Sequence, residues 1–140
     1  MGRRLDRLRG DGDVLFVYGT LRFPEVLTAL LGRCPELVPA GLPGWRVAAL
    51  PDRVYPGLVR EAGGLARGML LYGLDPAEWL VLDRFEDDEY DLCPVILDAG
   101  TAWTYVWTAA ALPEEWYAAD FAATHLAAFL PRCAQWRRVE

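Results

Sequence analysis

Val14-Leu15-Phe16-Val17-Tyr18-Gly19-Thr20-Leu21-Arg22 is the stretch that decides how the chain is read. Its first five residues form a short, unbroken apolar run, rich in β-branched and aromatic side chains, which is the pattern of a buried strand. Gly19-Thr20-Leu21-Arg22 breaks the run, and Phe23-Pro24-Glu25-Val26 opens a helix with Pro24 in its first turn. Val26, Leu27, Leu30 and Leu31 give that helix an apolar face, and Gly32 is its stop. Glycine at position 19 permits a tight turn whose backbone N–H groups face a ligand, an anion-binding arrangement ahead of a helix. An ordinary strand-to-helix turn has the same sequence, and these residues alone leave both readings open.

Downstream, residues 35–64 are rich in Pro and Gly and read as strands broken by turns. Trp45 to Leu50 is one strand, and Tyr55-Pro56-Gly57-Leu58-Val59 is a turn entering another. Gly63-Gly64 marks a hairpin-like turn, followed by an apolar strand over Leu65 to Tyr72. Asp75-Pro76-Ala77-Glu78 carries a helix start, with Asp75 as cap, Pro76 at the first position and Glu78 completing a capping box. This helix runs through Trp79, Leu82 and Phe85 toward Glu86. Cys93 to Asp98 and Thr101 to Thr108 read as strands joined at Ala99-Gly100. Pro113 to Leu130 reads as a last helix, with Phe121, Leu126, Phe129 and Leu130 toward the core. Strands outnumber helices and helical crossovers are scarce, so the expected fold class is α+β: a mixed, largely antiparallel, barrel-like sheet with a few flanking helices. Residues 1–13 read as a charged, flexible N-terminal arm, and residues 14–140 as a single domain.

Composition narrows the chemistry. The 140 residues contain no Ser, no Lys and no Asn, which excludes a serine nucleophile, a Schiff-base lysine and a phosphate-loop lysine. A single histidine, His125, rules out zinc sites built on paired histidines. Three cysteines without CxxC spacing (Cys34, Cys93, Cys133) read as reduced thiols, and with no apolar h-region after the arginine-rich start the expected location is the cytoplasm. No apolar run reaches the roughly 20 residues of a membrane span. A net charge of −6 argues against nucleic acid as partner.

The acidic run Glu86-Asp87-Asp88-Glu89-Tyr90-Asp91 is the first candidate for chemistry. A solvated polar segment is the plain alternative. Yet the run closes a helix, where the dipole disfavours carboxylates, and Glu86 follows Leu82 by four positions on the core-facing side. Glu86 is therefore expected to face inward with a raised pKa suited to a general base, while Asp87 and Asp88 face water. The spacing does not match a calcium loop, and no second acidic cluster supports a metal-dependent hydrolase. Cys93 and His125 lie far apart without a local signature of a thiol nucleophile, and Tyr55, Tyr90 and Tyr105 are candidates to orient a carboxylate or substrate.

Taken in order, Val17-Tyr18-Gly19-Thr20-Leu21, Tyr55-Pro56-Gly57-Leu58, Arg67-Gly68-Met69-Leu70-Leu71-Tyr72, Leu82-Asp83-Arg84-Phe85-Glu86-Asp87-Asp88-Glu89-Tyr90 and Ala102-Trp103-Thr104-Tyr105-Val106-Trp107 resemble the motifs of the gamma-glutamylcyclotransferase-like family across residues 14–130. The resemblance implies a barrel-containing fold in which the turn Tyr18, Gly19, Thr20, Leu21, with Tyr55 and Tyr105 as neighbours, binds the substrate's γ-glutamyl head. It implies Glu86 as the catalytic glutamate, with no cofactor and no metal. The substrate it implies is a small γ-glutamyl amine or amino acid, released as 5-oxoproline and an amine. Leu92 stands where relatives often carry Arg. A non-catalytic small-molecule binding module on the same fold is the alternative, and whether the protein is a monomer or a homodimer is left open.

Overall fold

The computed structural model describes residues 4–9 and 12–139. Residues 1–3, 10 and 11 of the arm, and residue 140, lie outside the described residues. Five strands form one sheet: β1 (Leu15–Val17), β2 (Glu36–Ala48), β3 (Gly57–Tyr72), β4 (Tyr90–Leu97) and β5 (Gly100–Trp107), in the order β2-β3-β1-β5-β4. Only the β1–β5 pair is parallel; the others are antiparallel. The fold class is thus the α+β one expected, with a mixed, largely antiparallel sheet that curls without closing. Among the described residues, four α-helices accompany it: α1 (Pro24–Leu31), α2 (Pro76–Phe85), α3 (Ala118–Thr124) and α4 (Leu126–Val139). Among the described residues, no helix is long and apolar enough to cross a membrane.

The unbroken apolar run of β1 follows from its place at the centre of the sheet, where both faces are buried. Leu15 and Val17 point to the layer that holds α1, α2 and α4, while Phe16 and Tyr18 point to the opposite layer with Leu42, Leu58 and Leu70. The strand is only three residues long because Gly19 turns the chain into a short 3-10 segment, Thr20–Arg22, ahead of α1. Both readable helix signals are present. Gly32 stops α1 in the left-handed conformation at φ 80°, and α2 begins with the Asp75–Glu78 capping box. A bidentate Arg33–Glu78 pair, both contacts at 2.6 Å, ties the exit of α1 to the start of α2.

Two elements differ from their sequence reading. Gly63-Gly64 does not make a hairpin: residues 57–72 are one strand, and the register against β2 shifts between Pro43 and Trp45. Gly44 and Gly63 take positive φ there, and a Cβ on Gly64 would lie 2.8 Å from the Trp45 carbonyl. The two glycines therefore serve a bulge within a long strand pair, a signal that local sequence shares with a turn. The expected strand from Trp45 is the second half of β2, and the true hairpin spans residues 49–56. The last helix also starts later than expected and is divided. Residues 112–116 run beside the end of β2 without helix, with Trp116 N–H donating to Val47 O at 3.0 Å, and the helices α3 and α4 meet at His125. Pairing with a free strand edge outweighs the helical pattern of those residues.

The opening residues 4–9 are folded back onto the domain. Arg4–Arg7 form a 3-10 turn, and Leu5 and Leu8 pack against the core beside α2 and β4.

At Gly68, β3 runs tightly against the end of its sheet neighbour β1. A Cβ there would lie 2.4 Å from the Val17 carbonyl oxygen and 2.9 Å from the Phe16 ring. Gly68→Ala is expected to destabilise the protein by about 2–3 kcal/mol in denaturant unfolding, because backbone on one side and a packed ring on the other leave no room to relax. Unfolding midpoints equal to the parent's would show that β1 is not pinned as described.

Candidate active site

A cavity of about 190 Å³ opens where β1 ends. Its wall contains the turn Tyr18–Leu21, Tyr55 and Pro56 from the β2–β3 hairpin, Phe85 to Asp87 from the end of α2, Tyr90 and Tyr105 from β4 and β5, and Phe129 and Arg132 from α4. All seven residues nominated from the sequence (Tyr18, Gly19, Thr20, Leu21, Tyr55, Glu86 and Tyr105) therefore border one space. Cys93 and His125 do not: Cys93 lies on β4 near Asp91, and His125 is exposed beside the Phe121 ring.

The turn is held against the hairpin by close packing. A Cβ on Gly19 would sit 2.8 Å from Pro56 Cγ, so glycine is required by proximity, not by a positive φ. Arg22 N–H makes the first bond of the 3-10 segment, to Gly19 O at 3.1 Å, so the N–H groups of Thr20 and Leu21 precede any bond within it. Tyr18 is buried and donates its hydroxyl to Tyr105 O at 2.6 Å, and Tyr105 in turn donates to Asp83 Oδ1 at 2.7 Å. Tyr90 donates to Pro56 O. Burial, first of all, raises the pKa of each of these three phenols, and the negative charge of Glu86 adds to it. They remain neutral donors over any ordinary pH range.

Glu86 closes α2. Its N–H still bonds Leu82 O at 3.1 Å, but its ψ of 136° is extended and turns the chain out of the helix, while the side chain lies in the cavity wall. The carboxyl is enclosed and keeps only partial exposure through the cavity. Burial pushes its pKa up to about 8; Arg4 opposes that rise, and Asp83 and Asp87 reinforce it. The sequence correctly placed Glu86 inward but misplaced its neighbour. Asp87 is part of the cavity wall: its Oδ2 accepts from Tyr55 Oη at 3.0 Å and its Oδ1 from Glu89 N–H at 2.9 Å. The chain turns tightly after α2, with Tyr90 N–H on Asp87 O at 3.1 Å, and a turn of that kind has no helical periodicity to read. Asp88 is exposed, as expected. Arg53 completes the hairpin side, reaching Tyr55 Oη at 3.1 Å and Glu89 Oε1 at 2.8 Å.

Sequence reasoning missed Asp83, Arg4, Phe129 and Arg132. Asp83 had a readable signal, one helical turn before Glu86; Arg4 had none, because nothing local to the first residues announces a partner some eighty positions away. Among the described residues, no group of three or more His, Cys, Asp or Glu side chains is arranged to hold a metal ion.

Fold and cavity together define an α+β protein with a pocket of small-molecule size at the end of its central strand. The comparisons take this further: residues 15–122 match the family described as gamma-glutamyl cyclotransferase, AIG2-like, and the chain belongs to that family. AIG2-like protein A of Arabidopsis thaliana is 32% identical over 125 residues, covering 83% of this chain and 76% of that protein. AIG2-like protein C of the same plant is 46% identical over 77 residues, 55% of this chain and 45% of its own length. The chain spans about half the length of most of the curated relatives it matches. A solution structure from Arabidopsis thaliana superposes with a TM-score of 0.66 at 31% identity, over 91% of this chain and 90% of that one. A structure titled gamma-glutamyl cyclotransferase superposes with a TM-score of 0.60 at 14% identity over 88% and 86%, a likeness of fold.

The raised carboxyl has a consequence for stability. A group whose pKa in the folded state lies above its unfolded value penalises the fold where it ionises, so the penalty is absent below the ordinary carboxyl range and complete above pH 8. Glu86→Gln should therefore gain in melting temperature relative to the parent by several degrees as pH rises from 5 to 9. A difference that stays constant over that range would mean that Glu86 is not held at a raised pKa.

Proposed function

We propose that the chain is a gamma-glutamylcyclotransferase-type enzyme that converts a γ-glutamyl amine or amino acid to 5-oxoproline and the free amine, with Glu86 as the general acid/base. The observation that carries this reading is the enclosed Glu86 carboxyl, with its pKa pushed up to about 8, on the wall that faces the Tyr18–Leu21 turn.

The γ-glutamyl group holds its nucleophile already, since its α-amine reaches the γ-carbonyl through a five-membered ring. In the proposed reaction the amine nitrogen bonds to the γ-carbon, the bond from that carbon to the leaving nitrogen breaks, and one proton moves from the first nitrogen to the second. The Glu86 carboxylate takes it and the Glu86 carboxylic acid returns it. An ordinary α-amino group titrates at about 8, so transfer between it and Glu86 is close to balanced in energy, the condition in which a general base works well. An arriving ammonium also draws out the ionised form of Glu86 by its charge. The turn at Gly19–Leu21 supplies backbone N–H groups for the head, while the neutral phenols and apolar rings exclude water and hold the chain curled. Such positioning of an intramolecular reaction contributes several kcal/mol. The three unpaired thiols fit a reducing compartment, so a cytoplasmic setting is part of this reading.

Glu86→Gln is expected to lower kcat for 5-oxoproline release by about two to four orders of magnitude, with ligand binding little changed. Exposed Asp88 provides the neutral comparison, and Asp88→Asn should retain full rate. The parent's rate should climb as pH passes through about 8, where the base form of Glu86 accumulates. Equal turnover by Glu86→Gln and the parent would end the proposed mechanism, and failure of the parent on every γ-glutamyl compound tried would end the enzymatic reading.

Proton transfer by one carboxylate requires no ion, so turnover should also survive exhaustive chelation. Inactivation by chelator with rescue by magnesium or manganese would point instead to metal-assisted hydrolysis.

A further inference from the structure

Arg4 stands in the first described residues, far in sequence from the cavity, yet it is bonded to the backbone on both sides of Glu86. Its guanidinium donates to Asp83 O at 2.7 Å, to Asp87 O and Tyr90 O at 2.9 Å each, and to Glu86 O at 3.3 Å. Its Nε lies 3.0 Å from Asp83 Oδ1, and the group lies 5.2 Å from the centre of the Tyr105 ring. The last carbonyls of a helix have no partner within it and carry its negative end, so a cation there is favourable. Arg4 does more than neutralise that end. Its planar fork of donors spans the last turn of α2 and the turn after it, fixing the piece of backbone from which the Glu86 side chain departs.

We propose that Arg4 is a positioning residue for Glu86: by clamping the carbonyls of Asp83, Glu86, Asp87 and Tyr90 from behind, it sets the direction in which the Glu86 carboxyl enters the cavity and makes the N-terminal segment part of the site. The inference deepens the functional reading above and rests on it for its catalytic consequence. Arg4 does not border the cavity, so it acts through Glu86 and not on the substrate. Removal of a side chain that only stabilised the fold would lower the melting temperature and leave the surviving protein with unchanged chemistry. Loss of the clamp alters Glu86 in two separable ways, through its geometry and its charge environment. The groups around Glu86 are Asp83 from α2, Asp87 beyond it, Tyr18, Tyr55, Tyr90 and Tyr105 from the sheet and hairpin, and Arg132 from α4 at the cavity wall. Asp83 and Asp87 among these raise the carboxyl's pKa, and Arg4, behind the helix end, lowers it. Without Arg4 the proton is held to higher pH.

The experiment compares the full chain with Arg4→Gln and Arg4→Lys. Assays run well below each protein's melting temperature, and the Glu86 side-chain carboxyl is titrated by carbon NMR, its signal assigned from Glu86→Gln. Arg4→Gln is expected to lose about tenfold or more in kcat, since a misdirected group loses rate steeply, with KM little changed. Its acidic limb and its NMR midpoint should both move up by about one pH unit. Arg4→Lys should restore the midpoint but only part of kcat, because one ammonium cannot bridge four carbonyls. An Arg4→Gln protein that folds normally and keeps the parent's kcat and midpoint would overturn the proposal. If Arg4→Gln fails to fold, full activity in Arg4→Lys would overturn the positioning role, and lost kcat in a folded Arg4→Lys would support it. Should the parent turn over no γ-glutamyl compound, the functional reading fails by itself; an unmoved NMR midpoint in Arg4→Gln would then overturn the clamp as well, and a raised one would uphold it.

Discussion

A carboxyl enclosed at the negative end of a helix is the constraint around which this structure is arranged. Three unfavourable effects meet at Glu86: removal from water, the terminal carbonyls of α2, and the nearby carboxylates of Asp83 and Asp87. The groups that offset them act on the helix end and on the neighbouring acids. Arg4 lies behind the helix end, the Tyr105 hydroxyl occupies Asp83, and the Tyr55 hydroxyl occupies Asp87. The neighbouring acids have these partners, and Arg4 lowers the Glu86 pKa without bringing it down to the ordinary range. A carboxyl of that kind is a base of near-neutral strength, which an exposed or fully paired glutamate is not.

That arrangement requires α2 to be fixed at both ends, and the sheet to offer something opposite. The start of α2 is held by its capping box and by Arg33 on Glu78; the latter contact, more than any other effect, lowers the Glu78 pKa. Its end is held by Arg4. The facing wall exists because β1 is short and central: a longer strand would carry Gly19–Leu21 past the cavity, and an edge strand would leave the turn in solvent. The phenols of Tyr18 and Tyr105 join the two walls through one chain of hydrogen bonds, from Tyr18 to the Tyr105 carbonyl and from the Tyr105 hydroxyl to Asp83. Through these bonds the position of each wall depends on the other.

Much of this was legible in the sequence wherever the signal was local. The run Leu15–Tyr18, the proline at the first position of each of α1 and α2, the Asp75–Glu78 box and the Gly32 stop all act within a few residues, and the structure places them as read. The inward face of Glu86 followed from its spacing to Leu82. Signals with two physical meanings failed. Gly63-Gly64 fits a turn and a bulge equally, and only the pairing of Leu65 with Pro43 distinguishes them. Residues 112–116 have helical composition but find a strand edge at Val47 and Ala49. Asp87 resembles Asp88 in sequence, yet the turn beyond α2 carries it to Tyr55. Arg4 lay furthest from reach, since its role depends on a fold that brings residue 4 beside residue 86.

The location of the charges bears on what kind of cavity this is. A pocket that only retained an anionic head would be stabilised by a cation at its centre and destabilised by a carboxylate there. Here Glu86 and Arg132 both line the cavity wall, Glu86 at the end of α2 and Arg132 on α4. Replacing Glu86 by a neutral residue would relieve the fold of a buried ionisable group while leaving intact the turn, the phenols and the packing of Pro56 on Gly19. In the proposed reading the group is there to move a proton, a task that holding an anionic head does not set. The stability lost to ionisation of Glu86 and the basicity needed for the proposed reaction have the same origin, desolvation at the end of α2. Strengthening the fold by exposing or pairing that carboxyl would lower its pKa toward that of an ordinary glutamate, and with it the capacity to take a proton from an amine.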